Sequence, residues 1–375
     1  MFANLYSGKR VFVTGHTGFK GSWLCEWLLM LGAEVTGYSI RVNDTPDHFS
    51  ALRLDQRMNH IIGDVRDLPA LEKAIQQAKP DFVFHLAAQP LVRLSYREPV
   101  ETMTTNITGT VHLLDVLRRV QHRCACVIVT SDKCYENREV LQAYREDDPM
   151  GGHDPYSASK GAVEIVAHSF RRSFFSGADS LIHLATARAG NVIGGGDWSE
   201  DRIVPDCVRS LLRGETIAVR NPVATRPWQH VLEPLSGYLW LGALLTGEVK
   251  LPHVPDAGAV AAAFNLGPWP EANRSVKNLV TEMLKQWPGD WRDASELKAV
   301  HEAGLLSLAI DKAFHVMQWR PVWNFTQNVA ATTTWYRRVA QEGVNAFDQT
   351  RGDIITYMHD AKAAGVSWAL RSSSL

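Results

Sequence analysis

Along the first half of the chain, short runs of β-branched and aromatic apolar residues alternate with longer stretches whose apolar positions recur every three or four residues. The runs predict strands over 10–14, 34–38, 60–62, 81–86, 125–130 and 181–187, and the longer stretches predict helices over 21–31, 70–77, 100–120 and 156–175. A strand reaches a parallel neighbour only through a crossover, so this alternation predicts an α/β protein built on a doubly wound parallel sheet. Pro69 and Pro99 fall where the second and third helices begin, and a missing N–H costs little there.

After Arg188 the rhythm changes. Three glycines, Gly194 to Gly196, open an irregular stretch, followed by a predicted helix over 203–213 and a strand over 217–220. Apolar segments at 235–245, 262–266, 276–286 and 329–340 make a smaller, mixed second half, and the alanine-rich patch 257–263 reads as a loop insertion. At 375 residues the chain is longer than one core usually serves. The expected division is a nucleotide-binding domain over 1–187 with returning segments near 226–266, a substrate lobe over 188–225 and 267–345, and a tail over 346–375 of mixed polarity.

Composition narrows the choice of partner. With 39 basic and 40 acidic residues in no long blocks, the chain has no electrostatic footprint for nucleic acid or an anionic membrane, and no apolar run is long enough to span one. A small ligand is expected, in a cytoplasmic protein, because the first residues lack the apolar core of a signal peptide. Five cysteines (Cys25, Cys124, Cys126, Cys134, Cys207) fit neither a zinc spacing nor a disulfide framework, so no metal is expected. Of twelve tryptophans, Trp198, Trp228, Trp269 and Trp319 lie near Pro or Gly, where core packing and sugar lining compete as readings.

The chemistry begins where the first strand meets the first helix. Gly15, Gly18 and Gly21 in Thr14-Gly-His-Thr-Gly-Phe-Lys-Gly21 are spaced GxxGxxG. Gly15 permits a tight turn, Gly18 lets the backbone approach a pyrophosphate, and Gly21 lets helix and strand pack closely, as in a modified Rossmann fold. Thr17, Phe19 and Lys20 share this turn; Lys20 either meets phosphate or is solvated. The acid that usually holds the adenosine ribose about 20 residues on is replaced by Ser39-Ile40-Arg41, so the residues leave NADP open beside NAD. Asp64, followed by Val65, reads as a helix cap or, by resemblance to the short-chain dehydrogenases, as the aspartate that meets the adenine amine. Tyr156 and Lys160 stand at i and i+4, hence on one helical face, where an ammonium would stabilise a phenolate. They follow Ser131 at the carboxyl end of the fifth strand, the end at which doubly wound sheets bind ligands.

With these motifs, residues 9–340 resemble the extended short-chain dehydrogenases that modify nucleotide sugars. The resemblance extends to His85-Leu86-Ala87-Ala88-Gln89-Pro90, similar to the segment lining the nicotinamide ribose, and to Asn106-Ile-Thr-Gly-Thr110. It also includes Arg188-Ala-Gly-Asn191-Val-Ile-Gly194, similar to the segment that holds the sugar nucleotide, and the Arg226-led segment that clasps its diphosphate, with Arg202 nearby. Such a likeness implies NAD as cofactor, a nucleotide-sugar substrate, and a homodimer or dimer of dimers through the helices at 100–120 and 156–175. Leu113, Leu114 and Leu117 fit burial of one face of the first of these helices.

Within that family, 4,6-dehydratases follow a hydroxyl residue with an acid and a base, and epimerases do not. Here the segment is Ser131-Asp132-Lys133, with lysine where glutamate is usual. That lysine, together with GHTGFKGSW over 15–23, is similar to the branch that acts on CDP-glucose. The implied reaction oxidises C4, which acidifies the C5 proton; Lys133 takes that proton while Asp132, held protonated, gives one to the departing C6 hydroxyl, and the hydride returns to C6 as C5 is reprotonated. A lysine can act as base only if desolvation or a cationic neighbour lowers its pKa from about 10.4, which leaves the division of roles between Asp132 and Lys133 open. Alternatives are another nucleotide sugar, 4-epimerisation, or a non-catalytic dinucleotide sensor on the same fold.

Overall fold

The computed structural model describes residues 1–40, 47–177, 179–295 and 305–370. Its centre is a sheet of seven parallel strands: β1 (Arg10–Thr14), β2 (Glu34–Ser39), β3 (Asn59–Ile62), β4 (Phe82–His85), β5 (Cys124–Val129), β6 (Ile182–Arg188) and β7 (Ala263–Asn265). They lie in the order β7-β6-β5-β4-β1-β2-β3. The chain winds from β1 outward to β3 and then returns to β4 on the other side of β1. The crevice where it reverses, at the carboxyl ends of β1 and β4, is where such sheets bind ligands. There Thr14 registers with His85 on one side and Tyr38 on the other.

Both faces of the sheet are buried, which is why its strands read as nearly continuous apolar runs. Along β1, Val11 and Val13 join one core and Phe12 the other, as alternation across a sheet requires. The first core takes the helices Phe19–Met30 and Leu232–Leu245 and holds Trp23, Trp27, Trp240 and Trp319, all fully buried. The second takes Leu68–Ala78, Gly109–Leu117 and Pro155–Phe174. Leu113, Leu114 and Leu117 are buried in this second core, so their spacing serves the protomer's own interior.

The predicted strands lie within a residue or so of the observed ones. The helix expected over 100–120 is instead Pro99–Met103, a widened turn of π type over Thr104–Thr108, and Gly109–Leu117. At Gly109 a Cβ would lie 2.5 Å from Val65 Cγ2, so the glycine allows the helix to pack tightly on the segment past β3. The patch over 257–263 is not a loop insertion. It forms a short 3-10 turn, Ala257–Val260, whose buried Val260 leads into β7, the outermost strand next to β6. Beyond the sheet, the 18-residue helix Ala346–Ala363 lays Ile354 and Tyr357 into the first core, and Trp368 stacks on Phe2 at 4.8 Å. No helix among the described residues is long and apolar enough to cross a membrane.

Candidate active site

The glycine turn is shaped by close approaches. Gly15 has φ of 71°, and a Cβ there would lie 2.6 Å from the backbone nitrogen of Ala87, so the turn after β1 and the segment after β4 nearly touch. At Gly21 a Cβ would lie 2.2 Å from the Gly15 carbonyl oxygen. Gly18 is exposed and caps the helix Phe19–Met30 with no side chain, leaving the first-turn N–H groups of Phe19, Lys20 and Gly21 without a backbone acceptor among the described residues. Unsatisfied N–H groups at an open helix start suit a pyrophosphate. Leu86, Ala87 and Ala88 form the opposite wall, anchored where Thr14 Oγ1 contacts His85 Nδ1 at 2.7 Å and accepts from Ala87 N at 3.2 Å. Thr17 Oγ1 meets Ser39 Oγ at 2.9 Å, which brings the end of β2 to the same cradle.

Other residues expected at the cofactor are occupied within the protein. The Gln89 side chain bonds Thr102 and both polar backbone groups of Leu91, while its N–H donates to Asn106 Oδ1 at 2.8 Å, so it braces the segment after β4. Asp64 does not cap a helix. It grips Arg66, which holds its carboxyl below the usual range, and Asp67 caps the helix by accepting from Ala70 N at 3.1 Å. The Val65 side chain is buried in the second core. Arg41 lies outside the described residues.

Past β5, Ser131 begins a short turn, Asp132–Cys134, that packs against the helix Pro155–Phe174. That helix starts where it does because Asp154 accepts from Ser157 N at 2.9 Å and Pro155 takes the first turn. Asp132 is almost fully buried: its Oδ1 accepts from Ser131 Oγ at 2.9 Å and its Oδ2 from Asn191 Nδ2 at 3.2 Å. A Cβ at Gly190 would lie 1.8 Å from Asp132 Oδ2, and Asn191 adopts a left-handed φ of 47°, so the Gly-Asn pair is shaped around this carboxylate. Lys133 is partly buried beside it.

Burial pushes the Tyr156 phenol up to about 12, the Ser131 hydroxyl pulls it down, and Asp132 raises it again. Lys160 Nζ lies 6.0 Å from the Tyr156 ring centre, and burial lowers its pKa to about 8 against the opposing pull of Glu164. Lys20 belongs to this cluster too. Burial, then Arg202 and Lys160, bring it down to about 7, while Asp132 and Asp197 act the other way. Arg202 pairs with Asp197 at 3.4 Å and bears on both Lys20 and Tyr156. Arg226, buried on the short strand Thr225–Pro227, donates to the Thr225 carbonyl at 2.8 Å.

The structure thus brings Ser131, Asp132, Tyr156, Lys160, Lys20, Arg202 and Asn191 together at the carboxyl ends of the central strands. Arg188, expected against the sugar nucleotide, is turned inward: its guanidinium meets Glu164 at 2.9 Å and the Tyr135 hydroxyl at 2.6 Å. Tyr135 in turn donates to Asn265 at 2.7 Å, and Glu136 is exposed and paired with Arg138. Sequence reasoning missed Glu164, although Tyr156, Lys160 and Glu164 repeat at i, i+4 and i+8 on one helical face. A cavity of about 740 Å³ lined by Arg10, Glu34, Asn59 and Gln77 opens instead at the amino ends of β1 to β3, away from these groups.

The chain is similar to known proteins in both sequence and fold. The family model described as GDP-mannose 4,6 dehydratase matches residues 12–242. A CDP-glucose 4,6-dehydratase of Salmonella typhimurium is 48% identical over 341 residues, covering 89% of this chain and 92% of that protein. An epimerase of Methanothermobacter thermautotrophicus has the same fold, with a TM-score of 0.75 at 21% identity over 91% of this chain and 95% of its own. A dTDP-glucose 4,6-dehydratase of Streptomyces venezuelae, solved with NAD and TYD bound, gives 0.73 at 23% identity over 89% and 99%. With a family model spanning more than half of it and a relative this similar across most of both lengths, the chain belongs to the GDP-mannose 4,6 dehydratase family of extended short-chain dehydrogenases.

Proposed function

We propose that the protein catalyses 4,6-dehydration of CDP-glucose, giving CDP-4-keto-6-deoxyglucose and water with no net change in its cofactor. NAD, when bound, supplies a hydride acceptor for C4 and a donor for C6; the glycine cradle and the first-turn N–H groups of Phe19, Lys20 and Gly21 suit its pyrophosphate. Tyr156 takes the proton of the C4 hydroxyl, and the Lys160 ammonium stabilises the phenolate that does so. Lys133 removes the C5 proton, made acidic by the C4 ketone, Asp132 protonates the departing C6 hydroxyl, and Lys133 returns a proton to C5 as the hydride reaches C6.

Two donors, Ser131 Oγ and Asn191 Nδ2, face the Asp132 carboxylate. Ser131 stands between Tyr156 and Asp132, so a proton accepted by the Tyr156 phenolate has a short route to the carboxylate. The positive charges of Lys20 and Arg202, with Arg226, suit phosphate oxygens of cofactor and substrate. Assembly as a homodimer or dimer of dimers is part of this reading; Val100 and Ile165, 74% and 61% exposed on the two helices concerned, are apolar groups such a contact would cover.

The observation that carries the reading is the juxtaposition of two proton-handling sets, Tyr156 with Lys160 and Asp132 with Lys133, on a helix and the turn packed against it. Epimerisation needs the first set alone. The test is incubation with CDP-, UDP- and dTDP-glucose and GDP-mannose, followed by the alkali-induced absorbance of a 4-keto sugar. CDP-glucose is expected to give the strongest signal. A stronger signal from another nucleotide would reassign the base, a 4-epimer without a keto product would reassign the reaction, and no turnover of any sugar would leave a sensor.

A further inference from the structure

Lys160 has a buried anion one helical turn away. Glu164 is 5% exposed, and its three side-chain donors come from strand ends rather than from its own helix. Thr130 Oγ1, after β5, donates to its Oε1 at 2.5 Å, while Thr186 Oγ1 and Arg188 Nη2, both on β6, donate to its Oε2 at 2.8 and 2.9 Å. Arg188 continues the chain, donating through Nη1 to the Tyr135 hydroxyl at 2.6 Å and to the Glu146 carbonyl at 3.1 Å. Tyr135 is the residue that ends the Asp132–Cys134 turn. Stability alone explains such a pair poorly, because burying two charges costs desolvation that their attraction does little more than offset, and apolar side chains of similar volume often serve as well.

We propose that Glu164 and Arg188 are positioning residues for the reaction: the Glu164 carboxylate keeps the Lys160 ammonium charged beside Tyr156, and Arg188, through Tyr135, fixes the turn that carries Asp132 and Lys133. The inference takes the role of Lys160 from the proposed function. The groups that face Lys160 support it. On its own helix stand Tyr156 and Glu164, on the turn Cys134, on β4 His85, and on the first helix Lys20. Burial holds the Cys134 thiol and the His85 ring uncharged, and Lys20 can only repel. Glu164 is the anion in this set, and Arg188 keeps it ionised by lowering its pKa against burial.

The test compares wild type with Glu164→Gln, which keeps size, removes the charge and puts an amide N–H2 in place of one acceptor oxygen, and with Glu164→Gln/Arg188→Met, which removes both charges and leaves no orphaned cation should the single variant fail to fold. Lys160 is titrated directly in the full-length protein, with and without NAD, by the pH dependence of its acetylation read by mass spectrometry. This needs no substrate, so it stands apart from the question of which sugar is turned over. The Lys160 midpoint is expected to fall by about one pH unit or more in either folded variant, since a neighbouring opposite charge is worth about that much. The alkaline limb of hydride transfer, followed by cofactor absorbance with CDP-glucose, should move the same way. Glu164→Asp, which keeps the charge, should keep the limb while lowering the rate. An unchanged Lys160 midpoint in a folded variant, or a rate loss equal at every pH, would overturn the proposal.

Discussion

Tyr156 and Lys160 are each under two opposed pressures. Burial drives Tyr156 up to about 12 and Lys160 down to about 8, both toward their neutral forms, and the neighbours Ser131 and Glu164 push back. In the proposed mechanism Asp132, held by Ser131 and Asn191, serves the elimination rather than the hydride transfer that precedes it. Substitutions should therefore separate the two half-reactions. Tyr156→Phe removes the proton acceptor for C4 and should slow cofactor reduction by about 10²–10⁴-fold. Asp132→Asn and Lys133→Met should leave reduction fast, so that reduced cofactor and a 4-keto-glucose intermediate build up after rapid mixing, and Lys133→Met should also lose exchange of the C5 proton with deuterated solvent. If both variants stop reduction itself, the Asp132–Lys133 pair serves to place the sugar. If C5 exchange survives in Lys133→Met, Lys20 becomes the next base to examine, because Tyr135 is locked to Arg188 and Asn265 and Glu136 is paired with Arg138 at the surface.

The site at element scale is a set of junctions between strand ends and helix starts, and these differ in how legible they were. The β1-to-helix junction could be read because its demands are covalent: Gly15 needs a positive φ and no Cβ. Gly15→Ala would press a methyl group against Ala87, so NAD affinity, measured by fluorescence titration, should fall at least tenfold while the far-ultraviolet circular dichroism stays that of a folded protein; unchanged affinity would place the pyrophosphate elsewhere. The Tyr156 helix was legible for a similar reason, since i and i+4 fix a shared face whatever the tertiary context. Arg188 shows the limit. Its segment resembles one that holds sugar nucleotides, yet whether a guanidinium turns outward or inward depends on Glu164 and Tyr135, which are distant in sequence and carry no local signal. The π turn at Thr104–Thr108 was hidden likewise, because it widens the helix without disturbing the apolar spacing on either side.

Over the whole molecule, the C-terminal segment that carries no motif proves to be part of the first core, with the Tyr357 hydroxyl donating to the buried Glu233 at 2.7 Å. Its helix mixes charged positions among few apolar ones, so periodicity alone could not show that Ile354 and Tyr357 are buried. Buried ionisable groups of this kind set how stability depends on pH. His16, His48, His85 and His230 are each lowered to about 3, with burial the main cause, so the unfolded chain takes up four protons near pH 6.5 that the fold refuses. Glu233 and Asp353 are raised to about 7 by burial, so the fold gains two protons before the unfolded chain does. The histidine contribution is present above pH 6.5 and lost on acidification toward 3; the carboxyl contribution is present at low pH and lost as pH rises through 7. Between about 6.5 and 4.5 the balance is two protons in favour of unfolding, each worth about 1.4 kcal/mol per pH unit. Urea unfolding should show stability falling as pH drops from 6.5 to 5.5, and equal or greater stability at pH 5.5 would contradict this balance.

Whether one hydride leaves C4 and returns to C6 of the same sugar can be read with CDP-glucose deuterated at C4. The expected product is CDP-4-keto-6-deoxyglucose carrying the deuterium in its C6 methyl group, with no reduced cofactor accumulating. Deuterium remaining at C4 of an epimerised sugar, or released on free reduced cofactor, would contradict it.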